Sequence, residues 1–329
     1  MMNLSRHAAR ILAAFAAAAF LVSCGGDDDA PPQPPLFQTT VVFGASLSDT
    51  GNVCPNATIP GCPPVPPYAP KVFSNGALWV EVLTARYGAA VTPSLSGGNN
   101  FAYAGARTGT VPGAGTVPGT AATVPSMVAQ LDQHFSRVGF ALSAQTLFVV
   151  DASSVGNNIS DALTLGAANP SQSTVIATNV LTAAVTDIVT IVNRLYASGA
   201  RHIAVLNSTN VGLTPRVQAI NVVSPGAAAA ATQLSNQFNG ALAQQLNNIR
   251  AASPALALYL IDFGALTAEI VAAPASFGFT NVSAPCFNTL VSPPTLCATP
   301  NTYTYWDPFH PTAAAHVVIA NRAAATIGR

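Results

Sequence analysis

The chain has 329 residues, enough to bury one sizeable core without a second domain. Only 7% of its residues are charged, Lys plus Arg and Asp plus Glu are equal at 12 each, and the formal net charge is zero. Such a chain has no basic footprint for a polyanion, which excludes nucleic acid as an expected partner, and a surface so poor in charge tolerates apolar substrates.

At the N-terminus, Arg6 and Arg10 precede an apolar stretch from Ile11 to Val22. It is too short to span a bilayer as a folded helix and has the charge order of a secretory leader. Leu21-Val22-Ser23-Cys24 is similar to a bacterial lipobox, so residues 1–23 are expected to be removed and Cys24 to be lipidated. An ordinary leader cleaved nearby is the other reading. Residues 24–37 include Gly25-Gly26-Asp27-Asp28-Asp29 and Pro31-Pro32-Gln33-Pro34-Pro35, cannot pack a core, and read as a flexible tether. The expected protein is exported: an outer-membrane lipoprotein whose anchor makes the membrane a partner, or a periplasmic or extracellular protein.

Residues 38–329 read as one domain. The β-formers Thr39-Thr40-Val41-Val42-Phe43 break into Gly44-Ala45-Ser46-Leu47-Ser48-Asp49-Thr50-Gly51-Asn52. An apolar strand ending in small residues presents Ser46 at the C-terminal edge of a sheet, where open α/β folds keep their clefts, and makes it the candidate nucleophile. A turn or a helix cap is the bland alternative for such a serine. A helix over 76–87, a short strand near Ala90 to Thr92, and a Gly-rich loop from Gly97 to Gly119 follow. That loop carries Gly-Thr-Val-Pro-Gly at 109 and again at 115, has no lysine to make a phosphate loop, and is expected to face substrate.

Helix 126–138, strand 146–151, helix 174–198, strand 202–207, helix 227–251 and strand 257–262 then alternate. Such alternation implies an α/β fold with a five-stranded parallel sheet covered on both faces. Leu234, Phe238, Leu242 and Leu246 give the long alanine-rich helix a core face. Near the end stands Trp306-Asp307-Pro308-Phe309-His310-Pro311, with Thr312 as N-cap of a helix over 313–327. Asp307 and His310 supply a carboxylate and an imidazole three residues apart, the partners a serine hydroxyl needs. His134, His202 and His316 are expected to be structural or surface residues.

Five cysteines are odd in number, but setting aside Cys24 leaves two local pairs, Cys54 with Cys62 and Cys286 with Cys297, each expected to staple one loop. Their spacings are long and no histidine lies near either pair, so no metal is expected.

The chain resembles the SGNH or GDSL-type lipases and esterases over nearly all of residues 39–329. Besides the two end motifs, the resemblance includes Phe73-Ser74-Asn75-Gly76-Ala77-Leu78-Trp79-Val80-Glu81 and Asn100-Phe101-Ala102-Tyr103-Ala104-Gly105-Ala106-Arg107-Thr108-Gly109. Gly199-Ala200-Arg201, Gly212-Leu213-Thr214-Pro215 and Phe277-Gly278-Phe279-Thr280-Asn281 complete it. It implies a flavodoxin-like three-layer α/β/α sandwich with strand order 2-1-3-4-5. The four signature residues of such enzymes map onto Ser46, Gly105, Asn157 and His310, with Asp307 completing the triad. The backbone N–H groups of Ser46 and Gly105 and the side-chain amide of Asn157 would form the oxyanion hole.

The chain departs from the family pattern twice. Gly44-Ala45-Ser46-Leu47 stands where Gly-Asp-Ser-Leu is usual, so a local carboxylate is missing. Asn158 stands where an aspartate follows the signature asparagine, and Asn158 is itself the fallback for Asn157. The function implied is ester hydrolysis through an acyl-enzyme on Ser46, on a small-molecule or lipid ester, without a cofactor. The alternatives are a surface binding protein of the same fold with an impaired site, an acyltransferase, or a polysaccharide acetylesterase.

Overall fold

Four runs of β-branched and aliphatic residues form the central sheet in the computed structural model, which describes residues 37–55, 62–109 and 124–328. They are β1 (Thr39–Phe43), β2 (Thr146–Asp151), β3 (His202–Leu206) and β4 (Ala257–Ile261). They lie side by side in the order β1-β2-β3-β4, all parallel, with Val41, Phe148, Ile203 and Leu258 in register. All six residues of β2 are buried, as expected of a parallel strand covered on both faces.

Because side chains alternate along a strand, the sheet feeds two cores. Val41, Phe43, Phe148 and Ile203 pack with α2 (Met127–Val138), α3 (Val155–Ala168), α4 (Ser173–Ala197) and α6 (Ala227–Ala252). Val42, Val149 and Ala204 pack on the other face with α1 (Trp79–Ala85), α7 (Phe263–Ala272) and α8 (Ala313–Ile327). The result is the three-layer α/β/α sandwich. Leu234, Phe238, Leu242 and Leu246 do form the buried stripe of α6. Thr312 caps α8, its hydroxyl accepting the Ala315 N–H at 3.1 Å.

The fifth strand differs from expectation. Residues 90–92 form no ladder strand; instead Asn100 donates its N–H to Thr92 (2.9 Å) and its carbonyl accepts from Ser94 (2.7 Å). The segment 99–103 occupies the vacant side of β1, where Val42 N–H reaches the Asn99 carbonyl (3.1 Å), and Phe101 and Tyr103 N–H reach those of Val42 and Gly44 (2.8 and 3.2 Å). The sheet therefore has four strands where five in the order 2-1-3-4-5 were expected, and 99–103 lies along β1 through these bonds without forming a strand. The physical reason is local: Pro93 has no N–H to donate, and the chain folds back tightly at Gly98, where a Cβ would stand 2.3 Å from the Thr92 carbonyl oxygen.

Further elements carry no strong periodic signal: α3, α5 (Pro215–Val223) and α7, and the pair β5 (Asn281–Pro285) with β8 (Tyr303–Tyr305). Between the latter, β6 (Phe287–Asn288) and β7 (Thr295–Leu296) make a short hairpin closed by the Cys286–Cys297 disulfide. Cys54 and Cys62 are joined as well. Phe37, read as the last tether residue, belongs to the core: it is 1% exposed, with its ring 5.1 Å from Tyr87. The leader, Cys24 and the rest of the tether lie outside the described residues, as do residues 110–123 of the Gly-rich loop.

Candidate active site

The site begins where β1 ends. Gly44 is gripped by one side chain, its N–H donating to Gln130 Oε1 and its carbonyl accepting from Gln130 Nε2, both at 2.9 Å. A Cβ there would lie 2.7 Å from the Asp151 Cβ, so the backbone can pass β2 this closely only as glycine. The next residues turn, with Ser48 N–H on the Ala45 carbonyl at 3.0 Å, and this leaves Ser46 half-buried at the C-terminal edge of the sheet.

Three side chains from opposite ends of the chain meet here. Ser46 Oγ lies 3.0 Å from His310 Nε2, and His310 Nδ1 lies 2.7 Å from Asp307 Oδ2. The three-residue spacing works because Asp307 Oδ1 accepts the N–H groups of Phe309 and His310, both at 2.8 Å, curling the chain so that the imidazole reaches the other oxygen. Oδ2 also accepts the Tyr68 hydroxyl at 2.7 Å. Burial alone would raise the Asp307 carboxyl, but the charge and hydrogen bond of His310, the Tyr68 hydroxyl and the Phe309 N–H together hold it below the usual carboxylate range. An ionised carboxylate accepts only, so the imidazole proton sits on Nδ1 and Nε2 is free to accept from Ser46.

On the other side, Gly105 adopts φ +83°, in the left-handed region that favours glycine. Its carbonyl accepts from Arg107 Nη1 at 2.7 Å. Asn157, half-buried on α3, donates to the Ala106 carbonyl at 2.8 Å, which leaves its second amide hydrogen uncommitted to that bond. Asn158 is fully buried and turned to Thr108, accepting its N–H (3.3 Å) and donating to its hydroxyl (3.2 Å). The two asparagines thus differ in surroundings: one borders the loop of Gly105, the other is committed inside the core.

The missing Gly-Asp-Ser-Leu carboxylate leaves no gap. Ala45, 3% exposed, packs with Tyr103, Ala106 and Val124. Asp49, not singled out from the sequence, accepts four backbone N–H groups: Gly51 (2.9 Å), Asn52 (2.6 Å), Val53 (3.1 Å) and Ala104 (2.8 Å). Burial pushes its carboxyl pKa up, and these donors oppose the rise. Asp151 likewise accepts from Ser48 Oγ (2.7 Å), which in turn accepts from Trp79 Nε1 (3.1 Å). The Asp-x-Gly-Asn turn was the available signal for Asp49. Gln130 and Tyr68 left none, since each acts on a partner distant in the chain.

The remaining described histidines pack. His134 lies 5.8 and 5.3 Å from the rings of Phe43 and Phe101, His202 lies 5.2 Å from Phe37, and His316 Nδ1 accepts the Trp79 N–H at 3.2 Å. Burial pushes His316 down to about 3, so it stays neutral. Among the described residues, no three His, Cys, Asp or Glu side chains cluster as a metal site would need.

A serine, a histidine and an aspartate in relay at the mouth of a parallel α/β sheet have the spacing of serine-hydrolase sites. The family model of the GDSL-like lipase/acylhydrolases matches residues 40–323, and the chain belongs to that family. Among curated proteins it is similar to GDSL esterase/lipase At1g29660 of Arabidopsis thaliana, 33% identical over 142 residues, which cover 40% of this chain and 38% of the relative. GDSL esterase/lipase At1g29670 of the same plant is 33% identical over 144 residues, covering 40% and 38%. The matched stretch thus spans less than two fifths of the length of either relative.

Proposed function

We propose that this protein is a serine carboxylic-ester hydrolase, a lipase or esterase, working through an acyl-enzyme on Ser46. The observation that carries the reading is the continuous relay from Ser46 Oγ to His310 Nε2 (3.0 Å) and from His310 Nδ1 to Asp307 Oδ2 (2.7 Å). In the first step Ser46 Oγ attacks the ester carbonyl while Nε2 takes its proton. Charge on the carbonyl oxygen is met by the N–H groups of Ser46 and Gly105 and the amide of Asn157, each contributing about 3 kcal/mol by the general behaviour of such donors. His310 then gives its proton to the leaving alcohol. Water, deprotonated by the same imidazole, releases the acid. Transfer to an alcohol acceptor would use the same first half.

The binding-protein alternative was motivated by Ala45 and Asn158. Neither disturbs the relay, since Asp49 orders the loop and Asn158 lies away in the core, and this supports the enzyme over the impaired site. Two disulfides support an exported location, with Cys24 as the proposed lipid-bearing residue. A Cys24→Ala protein that still partitions with membranes would remove that part of the reading.

The test is labelling with a serine-directed fluorophosphonate, peptide mapping, and a panel of esters of increasing acyl length. Label on Ser46 that disappears in His310→Ala, with turnover lost in Ser46→Ala, is the expected result. Full turnover in Ser46→Ala would overturn the proposal.

A further inference from the structure

We infer that Tyr68 is a positioning residue of the catalytic relay: its hydroxyl, 2.7 Å from Asp307 Oδ2, fixes the plane of the carboxylate that orients His310. The inference rests on the triad reading above and assigns a role that neither the family motifs nor the relay itself requires.

Asp307 is 4% exposed, so its lone pairs must be satisfied inside the protein. Oδ1 is held by two N–H groups of its own turn, so the twist about Cβ–Cγ, which moves both oxygens of the planar carboxylate together, is set on that side only as firmly as the turn itself. The twist decides where Oδ2 stands, and Oδ2 is the atom that meets the imidazole. Besides His310, Tyr68 is the donor that reaches Oδ2 among the described residues. With the phenol in place, the carboxylate has donors at both ends and its plane is set before substrate arrives.

The phenol is itself held. Its ring stands edge-on to Phe287 and Trp306, at 5.7 and 5.8 Å. Phe287 N–H is bonded to the Trp306 carbonyl at 2.6 Å, so the hairpin closed by Cys286–Cys297 is fastened to the chain that leads into Asp307. On the other flank, Ala69 N–H reaches the Ser74 carbonyl (2.9 Å), and the Ser74 hydroxyl reaches the Pro311 carbonyl (2.9 Å), just past His310. The loop carrying Tyr68 therefore grips the Asp307–His310 turn at both ends. Burial first, and then the charge of Asp307, raise the phenol well above its ordinary pKa, so it remains a donor at any working pH.

Tyr68→Phe keeps the ring and removes the hydroxyl. The expected result is a kcat lower by about tenfold with KM within about twofold of the parent, the size of one lost hydrogen bond to a charged group read as a rate. The melting temperature should hold, and the low-field proton resonance of the His310 Nδ1–H should move. Ser46→Ala is measured alongside. Parent-like kcat in Tyr68→Phe, with Ser46→Ala inactive, overturns the role of Tyr68 and leaves the hydrolase reading intact. Activity retained in Ser46→Ala overturns the hydrolase reading and this inference with it. A lower kcat accompanied by a lower melting temperature and an unmoved imidazole resonance assigns Tyr68 to packing alone and also overturns the inference.

Discussion

Arg107 and Asp161 form a two-point ion pair, Nε to Oδ2 at 2.9 Å and Nη2 to Oδ1 at 2.8 Å, while Nη1 of the same guanidinium holds the Gly105 carbonyl at 2.7 Å. The pair therefore connects α3 to the Gly105–Ala106 peptide, the neighbour of the one whose N–H is proposed for the oxyanion hole. Asp161 stands one helical turn beyond Asn157 on α3, so both grip the same loop. Asp161→Ala removes the carboxylate that aligns the guanidinium and so loosens its hold on the Gly105 carbonyl. Kinetics on a soluble ester should show kcat reduced by about tenfold with KM little changed, since donors aimed at a transition state act on kcat. The side chains are 11% and 16% exposed, so urea unfolding should also show a loss of about 3 kcal/mol, the size expected when one partner of a largely buried ion pair is removed. Full kcat in a destabilised Asp161→Ala would mean that Gly105 is held by its own turn.

Asn157 and Asn158 are neighbours with opposite expected phenotypes. Asn157→Ala removes a half-buried amide beside the loop of Gly105, and kcat should fall about a hundredfold, in the range of a lost oxyanion donor, with little change in stability. Asn158→Ala strands the buried Thr108 N–H, while the Thr108 hydroxyl keeps its bond to Asp187, and should cost about 2 kcal/mol in unfolding while the folded protein keeps most of its kcat. The reverse pattern would move the oxyanion assignment to Asn158.

What the sequence made legible here was local. Continuous apolar runs marked β1 to β4, and the small residues after Phe43 marked the half-buried turn of Ser46. The Asp307 to His310 spacing was legible because a carboxylate can cap the N–H groups two and three residues on and still meet the imidazole. The expected second strand is absent because the edge of β1 is met by backbone groups of the irregular segment 99–103, which no side-chain alternation announces. The start of α3 was hidden by Gly156, Asn157, Asn158 and Ser160, residues of low helix propensity held in place by tertiary contacts. Gln130 with Gly44, and Tyr68 with Asp307, lie 86 and 239 residues apart, so only the folded chain brings them together.

His134 offers a test of the core that bears on pH. It is 4% exposed, ringed by Phe43, Phe101, Phe135 and Phe148, and neither of its ring nitrogens has a hydrogen-bond partner among the described residues. Burial first, and then the charge of Arg137, push it down from 6.5 to about 4. The sign follows: between pH 6.5 and about 4 the unfolded chain takes up a proton that the folded chain refuses, so stability falls as pH falls through that window. His316, held down to about 3, contributes a slope of the same sign and is untouched by a change at 134. His134→Phe replaces an unpaired polar ring by an apolar one of similar shape and should stabilise the protein by about 1 kcal/mol near neutrality. Its advantage over the parent should widen steadily as urea unfolding is repeated at lower pH, down to about 4. An advantage that stays flat across that series would show that the parent ring is not held neutral, and that a proton at His134 finds an acceptor in the folded core.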